Sequence, residues 1–448
     1  MSIQLWNKPT SRNVGYFLDL GLYSEALEVA AERGAITATY LRQELRQRTR
    51  GLLFVEKQSK RVANDLVREL HEFGWLERAN GAGQLLENVP YKLTPKGNEI
   101  LKLPNNAIRR HLAIKMQSRY TIPGWFVYRL WQINPQGQGE VILPAPARGW
   151  RPEPRQWEQK EWTDELAFQV LEAAKMAQSA CLGSFPIEDE IWVRTVCKIW
   201  KHLGTWKQKG KAEVSDKINN KGAAFSPRGR LAMAMRAASV ELLFGTTPPG
   251  QYAQDIASNK SPIMPRTFRV WCPRLADLEL IFYTDKHPYI TGRLIFPTAV
   301  FRHEAPQPPF EKLDDIRNPL GEFLWIYQPG WDLKGRAFLQ TLIQTHQLIS
   351  RRTGTLYVSL LDVRDEVCRR LRLSATFFDE FLKRAFRESL RPEAPYSISL
   401  ETDIREDQRS GSGLLRRPIW IEGVPHSLIA IGKASRVHQL IDGVQPSF

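Results

Sequence analysis

The sequence predicts an α+β fold: a small helix-rich domain closed by a β-ribbon at either end, flanking a mixed α+β centre. Three observations carry this expectation. Residues 24–101 and 320–432 each place amphipathic helical periods ahead of short strand-like runs. Between them, helical periodicity over residues 163–180 and 188–202 gives way to strand-like runs at 268–272, 278–284 and 292–301. Proline-rich stretches at 144–154 and 305–309 mark the changes of pattern and read as extended connectors. The expected division of the 448 residues is a first domain 1–105, a hairpin and connector 106–160, a basic central domain 161–310, a second terminal domain 320–432 and a tail 433–448.

In the first domain Ser24 is placed to cap a helix over residues 24–33 that Gly34 stops, and a shorter helix spans 39–48. Ser59 is placed to cap a third, which runs to Phe73 ahead of Gly74. Residues 75–78 and 89–93 follow as two strands around a glycine-rich tip at 80–83. Pro95 then sits where the first turn of a last helix tolerates it. On the third helix Val62, Leu66, Leu70 and Phe73 share one stripe, which leaves Lys57, Lys60, Arg61, Asn64 and Arg68 on the opposite side. Those side-chain types pair with phosphates and with guanine and adenine edges. Glu69 and Glu72 are expected to dilute the end of that face.

Three helices and a β-ribbon in this order resemble the winged-helix fold. The phrases Gly74-Trp75-Leu76-Glu77 and Tyr91-Lys92-Leu93-Thr94-Pro95-Lys96-Gly97 look like the wing and following helix of many bacterial transcription regulators. The resemblance spans residues 24–101 and implies that the third helix reads a major groove.

Residues 125–133 and 141–143 are expected to pair as a hairpin across the turn 134–139. Downstream lies the densest charge in the chain. Residues 194–236 carry eleven cations: Arg194, Lys198, Lys201, Lys207, Lys209, Lys211, Lys217, Lys221, Arg228, Arg230 and Arg236. Only Glu213 and Asp216 oppose them, so this segment supplies more than half of the formal net charge of +15. Such a concentration calls for a polyanionic counter-charge, and residues 207–221 read as a loop that orders on nucleic acid. Trp192, Trp200 and Trp206 are interleaved with the cations, and interior packing is the expectation for them.

The last domain opens with a helix from Asp332 to Ile349, followed by a strand over 356–360 and a helix over 362–371. Ser374 caps a further helix to Glu388, and residues 396–400 and 419–421 are expected to form its ribbon. This segment also resembles a winged helix. Phe377, Phe378, Phe381, Leu382, Ala385 and Phe386 give its third helix a wide apolar face that leaves Asp379, Glu380, Lys383 and Arg387 outside. Two carboxylates there predict protein contact rather than groove binding. Arg405, Arg409, Arg416 and Arg417, in the loop between the ribbon strands, are candidates for phosphate or minor-groove contact.

Catalytic and cofactor signatures are not found. The four cysteines lack a Cys-x-x-Cys spacing, which argues against a zinc ribbon and a disulfide framework. Residues 204–211 depart from a phosphate-binding loop in glycine spacing, and Ala212 stands where Ser or Thr would hold magnesium. The eight histidines are scattered; His303-Glu304 and Asp314-Asp315 read as solvated residues rather than a metal-dependent nuclease site. The N-terminus has no signal-peptide pattern, and no apolar run is long enough to span a bilayer. The expected protein is therefore a cytoplasmic, non-enzymatic DNA-binding protein without a cofactor or membrane contact. Its partners would be double-stranded DNA, with other nucleic acid second, and a protein partner or a second copy. An alternative is a subunit of a multi-protein bacterial DNA-processing, defence or mobile-element complex whose winged helices dock partners. Winged helices at both ends also resemble kleisin-type bridging subunits, although the compact β-containing centre departs from that family.

Overall fold

The computed structural model describes residues 21–48, 56–79, 89–103, 108, 111–113, 115–116, 122–134, 138–145, 169, 171–172, 175, 188–209, 227–244, 266–284, 287–290, 292–302, 311–317, 323–327, 333–402, 419–421 and 423–433. In chain order these form α1 (Gly21–Arg33), α2 (Ala38–Arg48), α3 (Glu56–Glu72), β1 (Leu76–Arg78), β2 (Tyr91–Leu93), α4 (Pro95–Leu101), α5 (Ile122–Ile133) and β3 (Val141–Pro144). Next come α6 (Asp189–Lys209), α7 (Pro227–Phe244), α8 (Arg266–Asp277), β4 (Ile281–Thr284), β5 (Gly292–Pro297), β6 (Val300–Arg302), β7 (Glu311–Arg317) and β8 (Phe323–Tyr327). The last segment holds α9 (Gly335–Thr353), β9 (Val358–Ser359), α10 (Leu360–Leu371), α11 (Ala375–Ser389), β10 (Tyr396–Glu401), β11 (Ile419–Ile421), β12 (Val424–His426) and β13 (Leu428–Lys433). Helices mixed with small antiparallel sheets make the fold α+β. The chain divides into two compact units. One comprises residues 1–129, 245–280 and 300–326; the other comprises 130–244, 281–299 and 327–448.

In the first unit, α1, α2 and α3 bury Leu22, Tyr23, Leu27, Leu41, Leu45, Leu66 and Leu70 against one another. The expected caps shift. Ser24 and Ser59 lie inside helices that begin three residues earlier, whereas the Thr37 hydroxyl accepts the Tyr40 N–H at the start of α2. Gly34 and Gly74 end α1 and α3 with φ of 76° and 74°, a region open to glycine at little cost. β1 and β2 pair antiparallel with Leu76 opposite Leu93, and Ile36 bridges to Tyr91 from the other side. Thr94 then caps α4 by accepting the Gly97 N–H at 3.0 Å, with Pro95 in the first turn. Gly97 is needed for close approach, because a Cβ there would lie 2.2 Å from the Trp75 carbonyl oxygen.

Two expected strands are helices. Residues 125–133 belong to α5, and residues 268–272 belong to α8. Aromatic and β-branched composition suggested strands, but burial decides the matter. Phe126, Val127 and Leu130, and likewise Trp271, Cys272 and Leu275, are buried at an i, i+1, i+4 spacing that only a helix places on one face. The hairpin expected between 125–133 and 141–143 is thereby corrected: β3 pairs with β5, Val141 opposite Ile295, and β4 closes the other edge of β5. Every residue of β3 and β4 is buried, and Phe282 stacks on its cross-strand partner Phe296 at 4.9 Å. Of the helix expected over 163–180, the described residues 169, 171, 172 and 175 are helical. The connector from residue 146 to 154 and the stretch 305–309 lie outside the described residues, as does the tail beyond 433.

The C-terminal segment has an order similar to the first: a helix, a short strand where the first segment has the Ile36 bridge, two helices, then four strands of which the last, β13, pairs with β10 and β9. Its sheet runs β10-β13-β9. Tyr396–Glu401 pairs with Leu428–Lys433, not with residues 419–421 as expected; those close their own hairpin with β12 around Gly423 at φ 82°. Ser374 caps α11 as expected, and Gly354 ends α9 in the left-handed region. Phe338, Leu342, Val363, Val367, Phe378, Leu382 and Ile429 form one core, which continues into Phe282, Leu294 and Phe296 of the β3-β5-β4 sheet.

Candidate nucleic-acid interface

Helix α3 is anchored by charge as well as by apolar packing. Glu69, expected on the outer face, is fully buried. Its carboxylate accepts hydrogen bonds from Tyr23 Oη of α1 and from Arg274 Nη2 of α8, the latter at 3.1 Å; Arg274 is itself fully buried. Asp65 is also withdrawn from solvent, and it accepts a hydrogen bond from Arg68 Nη2 at 2.8 Å. Only Glu72 is left as an exposed carboxylate on the described part of the helix. Phe73 completes the anchor between Tyr23 and Trp75, at ring separations of 6.2 and 5.6 Å.

Of the five α3 residues predicted to meet DNA, Asn64 and Arg68 are half-buried. Lys57, Lys60 and Arg61 lie on the helical backbone, one to two turns earlier, with side chains outside the described residues. A different face of this unit is acidic. Glu25, Glu28 and Glu32 on α1 and Glu44 on α2 surround Arg48, which lies 3.8, 3.6 and 3.9 Å from Glu25, Glu28 and Glu44 and forms a closer pair with Glu32. Burial and the neighbouring Glu28 raise the Glu25 carboxyl above its ordinary value, against the pull of Arg48.

In the central region Trp192 is fully buried, donates from Nε1 to Ser239 Oγ at 3.0 Å and packs α6 on α7. Val196 and Ile199 share that face, leaving Arg194 and Lys198 exposed on the other. Lys201, Lys207 and Lys209 lie on the α6 backbone, so the helix extends into the stretch expected as a loop. Arg228 and Arg230 begin α7; their side chains, with those of Trp200 and Trp206, are outside the described residues. Lys211, Lys217, Lys221, Arg405, Arg409, Arg416 and Arg417 also lie outside them.

A buried ionic network in the second unit had no sequence signal. Glu140, 5% exposed, accepts from Arg369 Nε and Nη2 at 3.1 and 3.0 Å and from Arg372 Nη1 at 2.9 Å. Arg372 ends α10 in the left-handed region at φ 55° and stacks over Phe296, its centre 5.0 Å from the ring. Burial lowers the Arg372 pKa, and Glu140 opposes that shift. One turn earlier, Glu366 lies 3.1 Å from His287 Nε2 and accepts from Arg370 Nε at 2.7 Å. Burial pushes the Glu366 pKa up, but His287, Arg370 and Arg369 outweigh it and hold the carboxyl below its ordinary value. His287 Nδ1 accepts the Tyr289 N–H, which places the ring proton on Nε2, facing Glu366. These residues join α10 to the β-sheet.

Among the described residues there is no group of three or more His, Cys, Asp or Glu side chains arranged to hold a metal ion. Cys368 is fully buried, and burial drives its thiol pKa well up, which suits packing rather than nucleophilic chemistry. Among the described residues, too, no helix is long and apolar enough to cross a membrane. No family model, curated protein or solved structure matches this chain.

Proposed function

We propose that the chain is a DNA-binding protein whose N-terminal winged helix grips duplex DNA through α3, with the basic α6–α7 region adding sequence-independent phosphate contact. One observation carries this reading. The inner side of α3 takes up Asp65 and Glu69 with the apolar stripe, leaving Lys57, Arg61, Asn64 and Arg68 at a 4-3-4 spacing on the opposite line. The connection of Ile36, β1 and β2 around three helices supports the winged-helix assignment, as does the repeat of that order at the C-terminus.

The test is fluorescence anisotropy on random duplexes across a salt series, with the full chain and a Lys57→Ala/Lys60→Ala/Arg61→Ala variant. Arg68 is left intact because it pairs with the buried Asp65 carboxylate. Each phosphate contact contributes about 0.9 to the slope of log affinity against log salt, so the variant should be shallower by up to ~3. No duplex binding by the unaltered chain at ~50 mM salt, where phosphate contacts are strong, would overturn the reading.

A second reading, a subunit of a larger DNA-processing complex, is favoured by exposed apolar side chains in the C-terminal module: Leu356, Leu390, Trp420 and Val424 are 62%, 65%, 53% and 49% exposed. A complex subunit should be monomeric alone by light scattering, whereas a free-standing regulator should be a dimer.

A further inference from the structure

We infer that α11 carries a second duplex-contacting face, built from Lys383, Arg384, Arg387 and Arg391. The inference rests on the DNA-binding reading and extends it to the C-terminal module. In the repeated order of elements, α11 holds the place that α3 holds in the first module: the last helix before the paired strands. Its buried side is Phe378, Leu382 and Ala385. At 100° per residue the line opposite those positions is Glu380, Arg384 and Arg387, and Arg391 follows two residues past the helix end.

Exposure follows that geometry. Arg384, Arg387 and Arg391 are exposed and Lys383 is half-buried beside them. The carboxylates expected to repel phosphate, Asp379 and Glu380, are half-buried, and Asp379 lies toward the core side. Among the described residues Lys383, Arg384 and Arg391 make no ion pair, whereas Arg387 has a partner within the fold. Arg384 is held in place instead by stacking over Phe381, 5.7 Å from the ring centre. A stacked guanidinium keeps its outer N–H donors available for a phosphate. Attraction of cations to a helix C-terminus would account for Arg387 in the last turn. It does not account for a line that starts before that turn and continues to Arg391 beyond the helix end.

The experiment uses the full chain with random duplexes and single strands, read by anisotropy across a salt series. Four proteins are compared: unaltered, Arg384→Ala/Arg387→Ala/Arg391→Ala, the Lys57→Ala/Lys60→Ala/Arg61→Ala variant, and both sets together. Loss of three contacts on α11 should flatten the duplex salt slope by up to ~3 and weaken binding by tenfold or more, additively with the α3 set. Glu380→Gln, which removes the one carboxylate on the line, should tighten duplex binding several-fold without disturbing the core. An α11 variant with unaltered slope and affinity, beside an α3 variant that loses both, would overturn the second face and leave the DNA-binding reading standing. Loss confined to single strands would overturn the assignment to duplex. No binding by the unaltered chain would remove the DNA-binding reading, and this inference with it.

Discussion

Glu140→Gln should loosen the junction between α10 and the β3-β5-β4 sheet by about 3 kcal/mol. Breaking one side of a buried ion pair costs roughly 3–5 kcal/mol, because the charge left behind stays desolvated. Arg369 and Arg372 are 13% and 18% exposed, so some water reaches them and the lower end of that range applies. Glutamine keeps the shape of the side chain but replaces one carboxylate oxygen with an amide nitrogen that has nothing to accept with. At about 1.4 kcal/mol per decade, the change corresponds to a roughly 100-fold loss of hydrogen-exchange protection. The assay is exchange mass spectrometry on a peptide covering residues 360–373, with residues 21–33 of the other unit as an internal reference. A fall confined to the first peptide is expected. Unchanged protection at 360–373, or an equal fall at 21–33, would refute the reasoning. A compensated variant, Glu140→Leu/Arg369→Met/Arg372→Gly, should recover part of the loss: it removes the cations left facing residue 140, Glu366 keeps Arg370 and His287 but loses Arg369, and glycine suits the left-handed φ at 372.

Arg274→Met should likewise remove the cation paired with the buried Glu69 carboxylate and leave it the Tyr23 hydroxyl, lowering protection in α1 and α3 by ~3 kcal/mol, while adding Glu69→Leu restores most of it; exchange in those two helices reads both outcomes. Glu366 gives a pH dependence. A carboxyl held below its ordinary value contributes stability that is present above the unfolded pKa and lost as pH falls through the folded one. Thermal unfolding should therefore separate the unaltered chain from Glu366→Gln at pH ~7, and the gap should narrow progressively as pH falls below the ordinary glutamate value of about 4.3. A gap that does not vary with pH would contradict the ionic account.

Several local signals were legible, although the caps expected at Ser24 and Ser59 fall inside their helices. The stripes of α3 and α11, the Thr94–Pro95 and Ser374 helix starts, and the stops at Gly34, Gly74 and Gly354 all follow from spacing and backbone preference. Partners were not legible. Residues 396–401 had to choose between 419–421 and 428–433, and both are short and β-branched; Gly423 settles it by closing the nearer pair on itself. Residues 268–272 carry Phe, Val, Trp and Cys, which suit a strand as well as a helix until Leu275 is known to be buried with Trp271. Glu69 read as a surface residue because the cation that buries it, Arg274, is 205 positions away. The same holds for Glu140 and Arg369, separated by 229 positions.

Those long-range pairs bear on how outer faces are fixed. Replacing a buried ion pair with apolar residues is often neutral or stabilising, so net stability alone does not explain why charges sit there. Orientation does. An apolar stripe lets a helix rotate or slide by a few degrees with little change in buried area, whereas a carboxylate held by two donors permits one rotation only. Glu69 sets α3 in this way, against Tyr23 and Arg274. Glu140 and Glu366 set α10 against the sheet, and α10 in turn packs on α11 through Cys368, whose thiol lies 3.7 Å from the Ser374 carbonyl oxygen at the α11 cap. A groove-facing helix is useful only if its cations meet phosphates at a fixed phase. On the DNA-binding reading proposed above, compensated variants that restore stability to each cluster should therefore bind duplex DNA more weakly than the unaltered chain. Equal affinity at restored stability would mean that the buried charges fix nothing the outer face requires.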